Sequence, residues 1–196
     1  MNEGIPDPIP ADFDQRRRLW IYASLWLNST GCLYASLSVQ TLGYAERMIL
    51  DMESRLAALV KDHAGKKARD WLLSECSAHS VLWVFGLYEV LRTVRASQAP
   101  EFSRLLPVFQ KLEALRMPLA KHEAKSHHGA APSHYPTSCW DVDSGQVGWS
   151  FYDPRLGTMQ TLTRTSLSDE FLQVAAVKPE HLPPFPIGGP LGDFEA

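Results

Sequence analysis

The 196-residue chain is long enough for one packed core with a small appendage and too short for two ordinary domains. With 45% hydrophobic residues and six tryptophans it has enough apolar surface to exclude wholesale disorder. A formal charge of −3 excludes a chain that coats nucleic acid through its overall field, so any polyanion must meet a local patch.

Residues 1–12 hold three prolines and read as a flexible N-terminus, with Asp12 or Asp14 placed to cap a first helix. From Asp14 to about Val39, Leu19, Tyr22, Ala23, Trp26, Leu33 and Leu37 recur at helical steps, which predicts one long helix. No charged residue occurs from Leu19 to Ala45, and Arg16, Arg17 and Arg18 precede the run. That is the outline of a membrane anchor, but Ser24, Asn28, Thr30 and Gln40 are too many polar groups for a spanning helix, so the segment reads as packed against protein.

A second amphipathic helix is predicted over Leu42–His63, with Met48, Ile49, Met52, Leu56, Leu59 and Val60 facing a core and Glu46, Arg47, Glu53, Arg55 and Lys61 facing water. The third, Lys66–Ser97, contains CSAHSVLWVFGLYEVL, apolar nearly all round, which marks a central helix. Pro100 separates it from a fourth helix over residues 101–125, where Pro107 and Pro118 predict a kink or a restart.

Beyond residue 125, HHGAAPSHYP reads as a linker over 126–137. Three runs follow, Ser138–Val142, Val147–Tyr152 and Thr158–Arg164, separated by turn sequences, and they predict an antiparallel meander. Ser166 is placed to cap a short helix, with Asp169 completing a capping box, and this unit (138–177) is expected to pack on the bundle over 13–125. Residues 178–196 form a Pro/Gly-rich tail. The fold class is therefore mainly α: a bundle of four or more helices with a small C-terminal antiparallel β meander and one short helix.

Cys32, Cys76 and Cys139 are dispersed and form no CxxC pair, which fits a reducing, cytoplasmic setting, and the acidic start lacks the plan of an export signal. There is no GxGxxG, P-loop or GxSxG motif, no DNA-specific motif and no implied cofactor. His122, His127, His128 and His134 gather near Glu123, but without the spacing of a zinc or di-iron site they read as a solvated loop, and no metal is assigned.

Two constellations carry candidate chemistry. On the third helix Glu75, His79, Leu82, Gly86, Glu89 and Thr93 share one stripe, which predicts a polar interior seam around Glu89 and His79 able to take a small ligand. A buried Glu89 needs a cation, from Arg92 or Arg95 on its own helix or from Arg116 or Lys121 across the interior. In the fourth helix RMPLAKH, from Arg116 to His122, resembles the R-x4-6-H motif of the HEPN superfamily, compact helical bundles of which many are metal-independent endoribonucleases that act as dimers. The resemblance implies that Arg116 holds or polarises a scissile phosphate and that His122 assists proton transfer at the ribose 2′-hydroxyl; in an RNA-binding bundle of this kind Arg92, Lys121 and Lys125 are the candidate phosphate contacts.

The alternative is a non-catalytic binding or assembly module. In that reading the uncharged face of residues 19–45 pairs with another copy of the chain, with Trp20 and Trp26 as anchors. The sequence leaves enzyme and binding module both open.

Overall fold

Helix α1 (Phe13–Ser29) starts where the Asp12 carboxylate accepts a hydrogen bond from the backbone N–H of Gln15 at 3.0 Å, in the computed structural model, which describes residues 12–61, 65–121, 136–141, 144–153 and 156–176. It ends earlier than its apolar pattern predicts. Gly31 takes φ 83°, Gly31 N–H donates to Asn28 O (3.0 Å), and Cys32 N–H donates to Leu27 O (3.1 Å). That pair of bonds closes a Schellman motif, so the uncharged run is two helices rather than one, and α2 (Leu33–Lys61) begins two residues later.

Helix α3 (Lys66–Ala96) packs against α2 and against α4 (Phe102–Lys121). Helix α4 runs through Pro107 and Pro118 without a restart; each proline removes one intrahelical donor, which packing of the buried face, Leu105, Val108, Phe109, Leu112 and Leu115, outweighs. Strands β1 (Thr137–Trp140), β2 (Val147–Asp153) and β3 (Thr158–Thr163) pair antiparallel in the order β1-β2-β3, with Trp149 opposite Ser138 on one side and Leu162 on the other. Alternation along β2 turns Val147, Trp149 and Phe151 onto the bundle, where β2 meets α3.

Helix α5 (Arg164–Ala175) follows β3 without a spacer and packs on α1 and α4. Its cap is Thr163, not Ser166: Thr163 Oγ1 accepts from Ser166 N–H at 3.0 Å, and Ser166 Oγ accepts from Thr163 N–H at 3.2 Å. The capping box therefore lies three residues earlier than the Ser166–Asp169 pairing predicts, and Asp169 is released for another partner. Among the described residues five helices and three strands make a mainly α fold with a β meander, and no helix is long and apolar enough to cross a membrane.

Candidate functional site

The largest polar constellation among the described residues lies inside the molecule, on residues the amphipathic pattern assigns to solvent. Glu46 and Glu53 are 1% and 3% exposed, and Arg16 and Arg164 are 2% and 0% exposed. The reason is spacing: Leu42, Glu46, Ile49, Glu53 and Leu56 advance by 4, 3, 4 and 3 residues, so both glutamates occupy the buried stripe of α2. Arg16 likewise leads Trp20, Ala23 and Leu27 along the buried stripe of α1. Met48, expected inside, is exposed because it falls on the opposite face of α2.

Five donors converge on the Glu46 carboxylate. Oε1 accepts from Arg16 Nη2 (2.7 Å), from Arg164 Nη1 (2.8 Å) and from the Ser168 hydroxyl; Oε2 accepts from Arg16 Nε (3.1 Å) and Trp20 Nε1 (2.6 Å). Arg164 Nη2 also donates to Glu53 Oε2 at 2.9 Å, and Glu53 Oε1 accepts the backbone N–H of Val147 at 3.2 Å. Arg16 Nη1 reaches Asp169 at 2.8 Å, the carboxylate freed from capping.

Two guanidiniums and two carboxylates thus oppose one another in the buried interior while tying α1, α2, β2 and α5 together. Burial presses Glu46 toward its neutral form, but the hydrogen bonds from Arg16, the charges of Arg164 and Arg16 and the Ser168 hydroxyl outweigh it, and its carboxyl is held below the ordinary glutamate value. Burial opposes the charge on Arg16 as well, and bonds to Glu46 and Asp169 overcome it, so its pKa is raised. Nearby, the Cys76 thiol is pushed up to about 11, by burial first and by the charge of Glu53 second, which Arg164 and Ser80 offset only in part. At that value it is no nucleophile at neutral pH. The arrangement is suited to holding elements in register, since every charged member already has its counter-charge inside the protein.

The α3 stripe faces outward rather than into an interior seam: Glu75, Leu82 and Thr93 are exposed, and His79, Gly86 and Glu89 are half-buried. Glu89 does find cations. Arg92 Nε lies 2.6 Å from its Oε2, and Arg116 Nη2 lies 3.7 Å from its Oε1. The Arg116 guanidinium also sits over the Tyr88 ring, 4.9 Å from its centroid, and Arg95 lies over Phe109 at 5.4 Å. These groups form a surface cluster at the α3–α4 seam. His122 and Lys125, with His127, His128, His134 and Glu123, lie outside the described residues, as does the side chain of Lys121. Among the described residues no group of three or more His, Cys, Asp and Glu is placed to hold a metal ion.

Trp20 is not an interface anchor. It is buried in the chain's own core, edge-on to Trp83 (6.1 Å) and against Phe171 (5.5 Å), and Trp26 is half-buried against the same core. The large apolar side chains of the uncharged run that reach the surface lie on the outer face of α2, where Leu33, Tyr34, Leu37 and Tyr44 are exposed, Tyr34 to 82%, and Met48 just beyond the run is exposed beside them. Leu33, Leu37, Thr41, Tyr44 and Met48 step by 4, 4, 3 and 4 residues, an unbroken uncharged stripe.

No family model matches the chain, and no curated protein or solved structure is significantly similar to it.

Proposed function

We propose that the chain is a non-catalytic assembly module that pairs with a second copy of itself through the outer face of α2. The observation that carries this reading is the stripe Leu33–Leu37–Thr41–Tyr44–Met48, flanked by Tyr34: large apolar groups left in water at four of five positions, none of the five charged, with Arg47 bordering its C-terminal end. A two-fold pairing lays identical patches on each other, so a charged face would oppose like charges, whereas an uncharged one meets no such repulsion. The buried Arg16–Glu46–Arg164–Glu53 array supports the same reading, because it commits these four charged groups to holding the fold.

Light scattering on the full chain tests this. The expected result is a dimer that Leu37→Glu converts to a monomer of unchanged melting temperature; a monomer at all concentrations up to about 100 μM, where even weak micromolar pairing is populated, overturns it.

A second reading, an RNA-binding or RNA-cleaving bundle similar to the HEPN superfamily, is favoured by the half-buried Arg116 near the end of α4, held by Glu89 and Tyr88 beside Arg92. In that reading Arg116 engages phosphate and His122 moves the proton. Its test is RNA cleavage in EDTA compared with His122→Ala; equal cleavage by both proteins, or none by either, removes it.

A further inference from the structure

An open groove of about 1300 Å³ lies between the C-terminal half of α2 and the first turns of α3, on a part of the molecule that neither reading above uses. Leu59 and Leu72 border it, and its most prominent feature is Trp71, a full indole left 69% exposed on a helix whose other tryptophan, Trp83, is buried. Lys67 stands one turn before Trp71 on the same face of α3, and Lys66 is beside it. Across the groove stands Arg55, whose contact with Asp51 is a loose one between two exposed side chains at 3.7 Å.

Acids are present too. Asp70 lies 3.8 Å from Arg69, and Glu75 borders the groove one turn beyond Trp71. Lys66 and Lys67, by contrast, make no ion pair with any other described residue, and both stand at the mouth of an aromatic-bearing groove.

We infer that this groove binds single-stranded nucleic acid, with a base stacked on the Trp71 ring and the flanking phosphates on Lys66, Lys67 and Arg55. The pairing of chemistries selects the ligand. A flat apolar ring left largely open to solvent suits the π-face of any base, and ammonium groups about one helical turn away suit the phosphates that flank a stacked base. A purely apolar partner leaves the lysines unused, and an acidic peptide leaves the indole unused. The site is a local patch on a chain of net charge −3, so binding is modest and falls steeply with salt. It requires neither pairing through α2 nor the Arg116 cluster.

The test is fluorescence anisotropy of a labelled 15-nucleotide oligo-uridine, titrated with the full chain at low and at raised salt. The expected result is saturable binding at low salt, weakened about tenfold or more by Trp71→Ala, in line with the worth of one base–aromatic stack, and weakened further by the double variant Lys66→Glu, Lys67→Glu. Both changes are at exposed positions, and unchanged circular-dichroism melting curves verify that the variants are folded. Absence of binding at low salt overturns the inference. So does binding that Trp71→Ala leaves untouched, and so does equal competition by poly-glutamate, which would make the patch a general acceptor of anions.

Discussion

Replacing Glu46 by glutamine removes one charge and changes almost nothing in shape, which makes it the sharpest probe of the buried array. The five donors divide three to Oε1 and two to Oε2, so either orientation of the amide points its own N–H₂ group at two or more donors, at least one of them a guanidinium. Arg16 and Arg164 then remain buried with Glu53 and the partly exposed Asp169 as the carboxylates left opposite them among the described residues. Breaking one side of a buried ionic array costs about 3–5 kcal/mol, a large share of the roughly 5–15 kcal/mol that holds a domain together. At about 2–4 °C per kcal/mol for a chain of this size the melting temperature falls by on the order of 10 °C.

Urea unfolding followed by tryptophan fluorescence, with the buried Trp20 and Trp83 as reporters, measures the loss directly. Its pH dependence gives an independent check. Because the folded-state pKa of Glu46 lies below its ordinary value of 4.5, the ionised carboxylate contributes fully above pH 4.5 and progressively less as the pH drops through the lower folded value. The gap between wild type and Glu46→Gln is therefore constant from pH 7 down to about pH 5.5 and closes below pH 4.5. A loss under about 1 kcal/mol at pH 7, the worth of an ordinary exposed pair, or a gap that ignores acid, refutes the assignment of Glu46 as an ionised hub.

Gly145 takes φ 72°, and a Cβ there would stand 2.2 Å from the backbone oxygen of Glu53, so Gly145→Ala should separate the β1–β2 turn from α2 and destabilise by more than the roughly 1–2 kcal/mol of left-handed strain alone; an unchanged urea midpoint refutes this. Iodoacetamide at pH 8 should label the half-buried Cys139 in the native protein and spare Cys76, with its thiol pKa of about 11, until denaturant is added; mass spectrometry of the peptides reads the order. Thr163→Val removes one arm of the α5 capping box and should cost about 1 kcal/mol in urea unfolding. Glu89→Ala, by contrast, should change stability by less than about 1 kcal/mol, because its pair with Arg92 is close to half-exposed on both sides.

The helical order, the three strands and the short terminal helix are legible in hydrophobic period and turn chemistry, because each is set by local sequence. The break at Thr30-Gly31 was legible in principle, since a glycine after a polar residue is an ordinary helix stop. It was hidden by apolar positions that continue in phase on both sides. The buried array was concealed for a different reason. Assigning charged residues to water is sound for isolated side chains and fails when charges neutralise one another inside. The step from Leu42 through Glu46, Ile49 and Glu53 to Leu56 was the available signal, a stripe on which two acids interrupt apolar residues at core spacing. Nothing in one sequence reveals that Arg164, 118 and 111 residues further along, completes it. Glu89 errs in the opposite direction: its helix is apolar nearly all round, yet the α3 face that carries it is left open, and its cations bind it at the surface.

The distance along the chain between Glu46 and Arg164 also constrains the order in which the molecule can mature. Arg164, the guanidinium that pairs with Glu53 and adds to the Arg16–Glu46 pair, is synthesised only after all four bundle helices. Until α5 arrives, Glu46 has its α1 partners Arg16 and Trp20, whereas Glu53 must stay hydrated, and final consolidation awaits the last helix. A fragment cut after α4 would leave Glu53 without both the Arg164 guanidinium and the Val147 N–H, so the junction between bundle and meander is a poor place to divide this protein into independent parts.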